Sequence, residues 1–162
     1  MKRFLITAFA LTWLLSLPAQ QSYISEKLSK KWETPAQLKV PESVCYDAIR
    51  NVIYVSNVTG SPTDKDGTGF ISKVSPEGQI LLLEWVTGLN APKGMGIAGN
   101  FLYVSDINRV VKIDILQGII AGETDIPGSK FLNDITIDQE GTIYVSDMNG
   151  NAIYKISKGK QD

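Results

Sequence analysis

The tripeptide Tyr-Val-Ser occurs at residues 54–56, 103–105 and 144–146. A repeat at that spacing constrains the fold more than any other feature. Each unit is too small to bury its own apolar face, so it must bury it against the next copy. The three copies sit in the short runs NVIYVSN, FLYVSD and TIYVSD, and each is followed by a short polar residue, Asn57, Asp106 or Asp147. Upstream lie SVCYDA, GMGIAG and DITID, and downstream lie GFISKVS, RVVKID and AIYKIS. The first two copies add a fourth run, GQILLLEWV and QGIIAGE. These runs are short, rich in Val, Ile and Tyr, and bounded by Gly, Asn, Asp and Pro, which is strand-and-turn chemistry and not helical periodicity. Asn51, Gly99 and Gly141 fall where a tight turn would join the first strand to the second. The pattern predicts an all-β fold of β-propeller blades, each of four antiparallel strands. It predicts three blades, over about 41–90, 91–130 and 131–158, with the third lacking its outer strand. An all-β sandwich with coincidentally similar strands is the alternative.

Residues 1–19, MKRFLITAFALTWLLSLPA, place Lys2 and Arg3 before an apolar run from Phe4 to Leu17, then Pro18 and the small Ala19. A spanning helix needs about 20 apolar residues. The layout is that of a secretory signal peptide; an uncleaved N-terminal anchor is the other reading. Residues 20–32 form a polar lead-in, and the blades occupy 33–162. The expected location is secreted or periplasmic, with no membrane association after cleavage. No cysteine follows the apolar run, so a lipid-modified terminus is not expected.

Composition removes several chemistries. The 162 residues include no histidine, which excludes Ser-His-Asp and Cys-His nucleophile pairs and imidazole metal sites. The single cysteine, Cys45, forms no intrachain disulfide and no Cys-rich metal site, and its place in a first strand suggests a buried, inert thiol. With 16 basic and 17 acidic side chains, the net charge of -1 gives no reason to expect nucleic acid as a partner.

Aligning the copies on Tyr-Val-Ser brings Glu42, Lys93 and Asn133 to matching places, 12, 10 and 11 residues before the tyrosine. Each opens the first strand of its blade. That strand lies nearest the channel of a propeller, so three different polar side chains are expected to converge at the channel mouth. Asn57, Asp106 and Asp147 recur in every blade, as a structural turn residue would, and bonds to amides two residues on are expected of them. GMGIAG matches G-x-G-x-x-G but lies between Pro92 and a following strand, the wrong context for a nucleotide. TDKDGTG lacks the closing acid of a calcium loop, because Ser75 stands at position 12 counted from Asp64. Asn57-Val58-Thr59 is a formal glycosylation sequon.

Two strings extend these readings. VPESVCYDAIRNVIYVSN resembles the opening blade of the senescence-marker, gluconolactonase and luciferin-regenerating-enzyme-like family, a TolB-like group. FLNDITIDQEGTIYVSD resembles its Asn-Asp-Gly-x-x-x-Asp-x-x-Gly string, through Asn133, Asp134, Asp138 and Gly141, with Ile135 in place of the Gly. The resemblance covers roughly residues 33–158. NHL-type propellers share the Asp-x-x-Asn turns seen in SDINRV and SDMNGN. The family resemblance implies a six-bladed propeller holding a divalent metal, often calcium, at the channel mouth, and hydrolysis of a small-molecule lactone substrate. It maps a metal ligand onto Glu42 and a metal- or substrate-holding residue onto Asn133. The cation would polarise the lactone carbonyl and acidify a bound water. Two departures stand out. The family's remaining ligands lie in later blades, and Lys93 would repel a metal unless it binds a substrate carboxylate. A non-catalytic NHL-like propeller that binds a protein or glycan is the alternative function.

Three blades are half of a six-bladed ring, so the exposed end faces predict association. The missing half could come from a longer or split gene, or two arcs could pair with each other; a small open β-domain is the third reading.

Overall fold

The structure is a computed structural model that describes residues 28–157. The stretch expected to be a signal peptide lies outside the described residues, and so does most of the lead-in. The chain divides into Met1–Lys31 and Trp32–Asp162, and every strand belongs to the second unit. Among the described residues no helix is long and apolar enough to cross a membrane.

The described residues form an all-β fold of three antiparallel sheets that resemble propeller blades. The first sheet runs β1 (Pro41–Asp47), β2 (Val52–Asn57), β3 (Gly69–Val74) and β4 (Ile80–Leu89) in sequence order. The second repeats this order with β5 (Pro92–Ala98), β6 (Phe101–Asp106), β7 (Arg109–Asp114) and β8 (Ile119–Asp125). The third holds β9 (Leu132–Ile137), β10 (Ile143–Asp147) and β11 (Ala152–Ile156). Residues 32–39, which lead into the first blade, contain no strand.

Stacking of blade faces makes the core. Tyr54 and Ile71 of blade 1 pack against Leu102, Val104, Val111 and Ile113 of blade 2. The opposite face of blade 2 presents Val110 to Leu132, Ile143 and Val145 of blade 3. Each such fully buried aliphatic side chain is worth about 1.5–3 kcal/mol, against about 1 kcal/mol net for one ladder hydrogen bond. The faces therefore dominate stability, and the ladders set their geometry. The Tyr of each repeat stands opposite a Lys on the third strand: Tyr54 with Lys73, Tyr103 with Lys112, Tyr144 with Lys155. In blade 1 this pair is enclosed, with Trp85 stacked 5.0 Å from Tyr54 and the Lys73 ammonium 4.0 Å above the indole. Burial pushes the Tyr54 hydroxyl up to about 12.

GMGIAG owes its glycines to packing. A Cβ on Gly94 would stand 2.5 Å from the Asp134 Cα and 2.6 Å from the Asn133 carbonyl oxygen. The innermost strands β5 and β9 approach backbone to backbone there, and only glycine allows it. Gly99 has φ +60° and makes the turn from β5 to β6.

Asn57, Asp106 and Asp147 are buried at the ends of the second strands. The expected bonds to amides two residues on are not the main ones. Instead the side chains reach back to the chain entering the first strand of the same blade. Lys39 N donates to Asn57 Oδ1 at 2.9 Å, Ala91 N to Asp106 Oδ1 at 2.7 Å, and Phe131 N to Asp147 Oδ1 at 2.9 Å. Asp147 also accepts from Lys130 N and Gly150 N, both at 2.8 Å, and Asp106 holds Arg109 at 2.8 Å. Blade entry needs an acceptor because its amides sit where no ladder partner exists. Its burial also leaves Asn57 without the accessibility that glycosylation of the sequon would need.

Burial acts to raise the Asp147 carboxyl, but amide bonds from Lys130, Phe131, Gly150 and Asn149 outweigh it and hold it below the ordinary carboxylate range. Its contribution to stability is thus present above the unfolded-state value of about 4 and is lost as pH falls through the lower folded value. Asp147→Ala leaves several amides without a partner, and we expect it to lower unfolding stability by about 1–3 kcal/mol at neutral pH, with Asp147→Asn losing less. Urea unfolding from pH 7 down to pH 2 checks this: the acid-limb loss should be shallower in Asp147→Ala than in the wild type.

Candidate functional site

Every blade carries a bulge at the same place in its first strand. Glu42 and Ser43 together oppose Ser56; Lys93 and Gly94 oppose Ser105; Asn133 and Asp134 oppose Ser146. Such bulges place two residues against one and re-aim the side chains at that point. The repeated serine fills each of them. Ser43 N donates to Ser56 Oγ at 3.0 Å, and Asp134 N to Ser146 Oγ at 2.9 Å. The Ser105 hydroxyl lies 3.3 Å from Gly94 O and also reaches the Asn133 carbonyl of the next blade. Glu42, Lys93 and Asn133 thus hold equivalent positions on adjacent inner strands.

Their environments differ. Glu42 is exposed at the end of β1, and Asn133 is partly buried on β9. Partial burial pushes the Glu42 carboxyl up, the Lys93 charge pulls it down, and Asp134 pushes it up further. Lys93 is only 1% exposed. Its ammonium donates to Ala91 O at 2.8 Å and to Pro62 O at 3.0 Å, and lies 4.3 Å from the centre of the Phe131 ring. Desolvation lowers the Lys93 pKa, opposed by Asp106 and then Glu42. The residue expected to bind substrate is thus a buried side chain whose ammonium donates to two backbone carbonyls and faces an aromatic ring.

A divalent ion such as calcium takes six to eight oxygen ligands. Glu42, Asn133 and Asp134 carry side-chain oxygens at the bulges of β1 and β9, and the charge of Lys93 already acts on Glu42. Among the described residues no three His, Cys, Asp or Glu side chains group to hold a metal. Among the described residues, the side-chain oxygens of Glu42, Asn133 and Asp134 at these bulges are fewer than such an ion takes. A cleft of about 350 Å³ lies between blades 2 and 3, bounded by Tyr103, Val110, Lys112, Glu123, Ile143 and Ile156.

Cys45 is partly buried beside the blade 1–blade 2 core, and burial, then Asp47, push its thiol pKa up, away from a reactive thiolate. The TDKDGTG loop is exposed, and Asp66 accepts from Thr68 N at 3.0 Å within it. Sequence reasoning missed the serine contacts and the Lys93–Phe131 contact. The serine was visible as the third letter of the repeat; the phenylalanine carried no signal, being adjacent only in space.

No family model matches the sequence, and no curated protein matches it. Solved structures do match, 54 chains in all. One belongs to a crystal structure of a nidogen/laminin complex, with a TM-score of 0.58 and 16% sequence identity, covering 75% of this chain and 44% of that one. The chain therefore spans less than half the length of that neighbour. At such identity the likeness shows the fold alone: an all-β, propeller-like stack of blades.

Lys93→Met removes the ammonium from two carbonyls and an aromatic face, and we expect a stability loss of about 2–3 kcal/mol. The Glu42 carboxyl should titrate at higher pH in that variant, because a charge that lowers its pKa is gone. Carboxyl NMR checks this; an unmoved Glu42 would contradict the proximity of the two charges.

Proposed function

We propose that this chain is a non-catalytic, propeller-type binding module that engages a protein through its blade faces. The observation that carries the reading is Lys93. Its buried ammonium supplies positive charge beside Glu42, where the metal-dependent alternative would need a cation. Exposed apolar side chains on the end blades, Val44 and Tyr46 on β1 and Ile153 on β11, offer the kind of surface that protein partners cover. The basic and apolar layout of residues 1–19 supports export, to the periplasm or the cell exterior, as the setting for that interaction.

A second reading has one observation in its favour. Glu42 and Asn133 share the bulge position, with Asp134 close enough to act on Glu42, so further oxygen ligands from additional blades would complete a calcium-type site for lactone hydrolysis.

Calcium separates the two. Thermal unfolding of the chain and of Glu42→Ala should show the same midpoint with and without millimolar calcium, and the chain should hydrolyse no lactone. A calcium-dependent rise in the midpoint that disappears in Glu42→Ala would support the hydrolase-type site and overturn the proposal.

A further inference from the structure

Blades 1 and 2 meet the blade that follows them with the same plan and one difference. Tyr54 and Tyr103 each stand opposite a lysine of the third strand, Lys73 and Lys112. Two residues along, Ile71 and Val110 stand opposite Ser56 and Ser105. The fourth strand of blade 1 pairs Leu82 with Lys73 and Val86 with Ile71; that of blade 2 pairs Gly122 with Lys112 and Thr124 with Val110. Between those pairs β4 carries Leu83, Glu84 and Trp85, whereas β8 carries Glu123 alone. The longer strand supplies a ring that the shorter one lacks.

Trp85 fills the junction of blades 1 and 2. Its ring stacks 5.0 Å from Tyr54 under the Lys73 ammonium, and it packs against the core that holds Leu102 and Ile113. Tyr54 is fully buried there. Blade 3 meets Tyr103 with Ile143 opposite Ile156, the counterparts of Leu102 opposite Ile113. With no ring on β8, Tyr103 stays partly exposed, and the cleft of about 350 Å³ lies at the corresponding place. A Cβ on Gly122, on the same strand face as Tyr103 and Lys112, would meet nothing within 4 Å. The missing ring is a property of β8 itself, whatever follows residue 157.

Charge narrows what the cleft can take. The Lys112 ammonium lies 3.8 Å from the centre of the Phe101 ring, and among the described residues it makes no ion pair. The carboxylate at the cleft, Glu123, is already held by Arg109 at 2.7 Å. The unpaired charge at the cleft, among the described residues, is therefore positive.

We propose that this cleft binds a small aromatic acid. Its flat ring, of about indole size, lies on Tyr103 as Trp85 lies on Tyr54, and its carboxylate stands beside the Lys112 ammonium. Stacked rings gain free energy beyond the area they bury, and a charge-assisted contact to a carboxylate adds to it. No residue of the first-strand bulges lines the cleft, so the site does not rest on the binding-module reading.

Calorimetric titration of the full chain with indole-3-acetate, indole and tryptamine tests this. Indole-3-acetate should bind at least about tenfold more tightly than tryptamine, with indole between them. Gly122→Trp sets the chain's own ring in the cleft and should weaken indole-3-acetate binding at least about tenfold. Lys112→Gln is a second variant, on a partly exposed side chain, and should bind indole-3-acetate and indole alike. Failure of indole-3-acetate to bind at millimolar concentration would overturn the proposal. Tryptamine binding as tightly as indole-3-acetate, or indole-3-acetate binding undiminished in either folded variant, would overturn it too.

Discussion

The buried ammonium of Lys93 joins all three blades. It bonds to the Pro62 carbonyl in the loop between β2 and β3, to the Ala91 carbonyl in the linker into blade 2, and faces the Phe131 ring at the entry to blade 3. A lysine taken out of water needs such partners, since an uncompensated buried charge costs several kcal/mol. Asp106 and Glu42 add opposite charge nearby. Asp106 itself holds the linker amides of Asn90 and Ala91. Cation, carboxylate and linker therefore form one connected polar unit beneath stacked apolar faces.

Three equivalent bulges carry three different residues, and the difference is informative. The backbone that presents Glu42 to solvent also tucks Lys93 inside, where Gly94 lets β9 press against β5. Asn133 stands at the last bulge, with its carbonyl reached by Ser105 from the preceding blade. Position in the repeat fixes where the backbone goes; the neighbours of each blade decide what the side chain meets. The chain's central lysine is a structural tie at a place where the pattern alone suggested a ligand contact.

Much of the architecture was legible in the amino-acid order. NVIYVSN contains β2, GQILLLEWV falls within or beside β4, and AIYKIS contains β11, because short Val-, Ile- and Tyr-rich runs between turn residues have few alternatives. Equivalence of Glu42, Lys93 and Asn133 followed from counting back from the repeat. The bulges explain why the counts of 12, 10 and 11 differ without breaking that equivalence: turn lengths change, but the two-against-one pairing stays. What stayed hidden depends on contacts between residues far apart in the chain. The backward reach of Asp106 and Asp147, the burial of Lys93 and the close approach at Gly94 all require a neighbour that no local string announces.

The structural role of Lys93 is tested most directly by its chemical accessibility. Amine-selective acetylation of the native chain, followed residue by residue with mass spectrometry, should modify the exposed Lys65 and Lys155 rapidly and leave Lys93 unmodified until the chain unfolds. Labelling of Lys93 at the rate of those surface lysines would contradict the account.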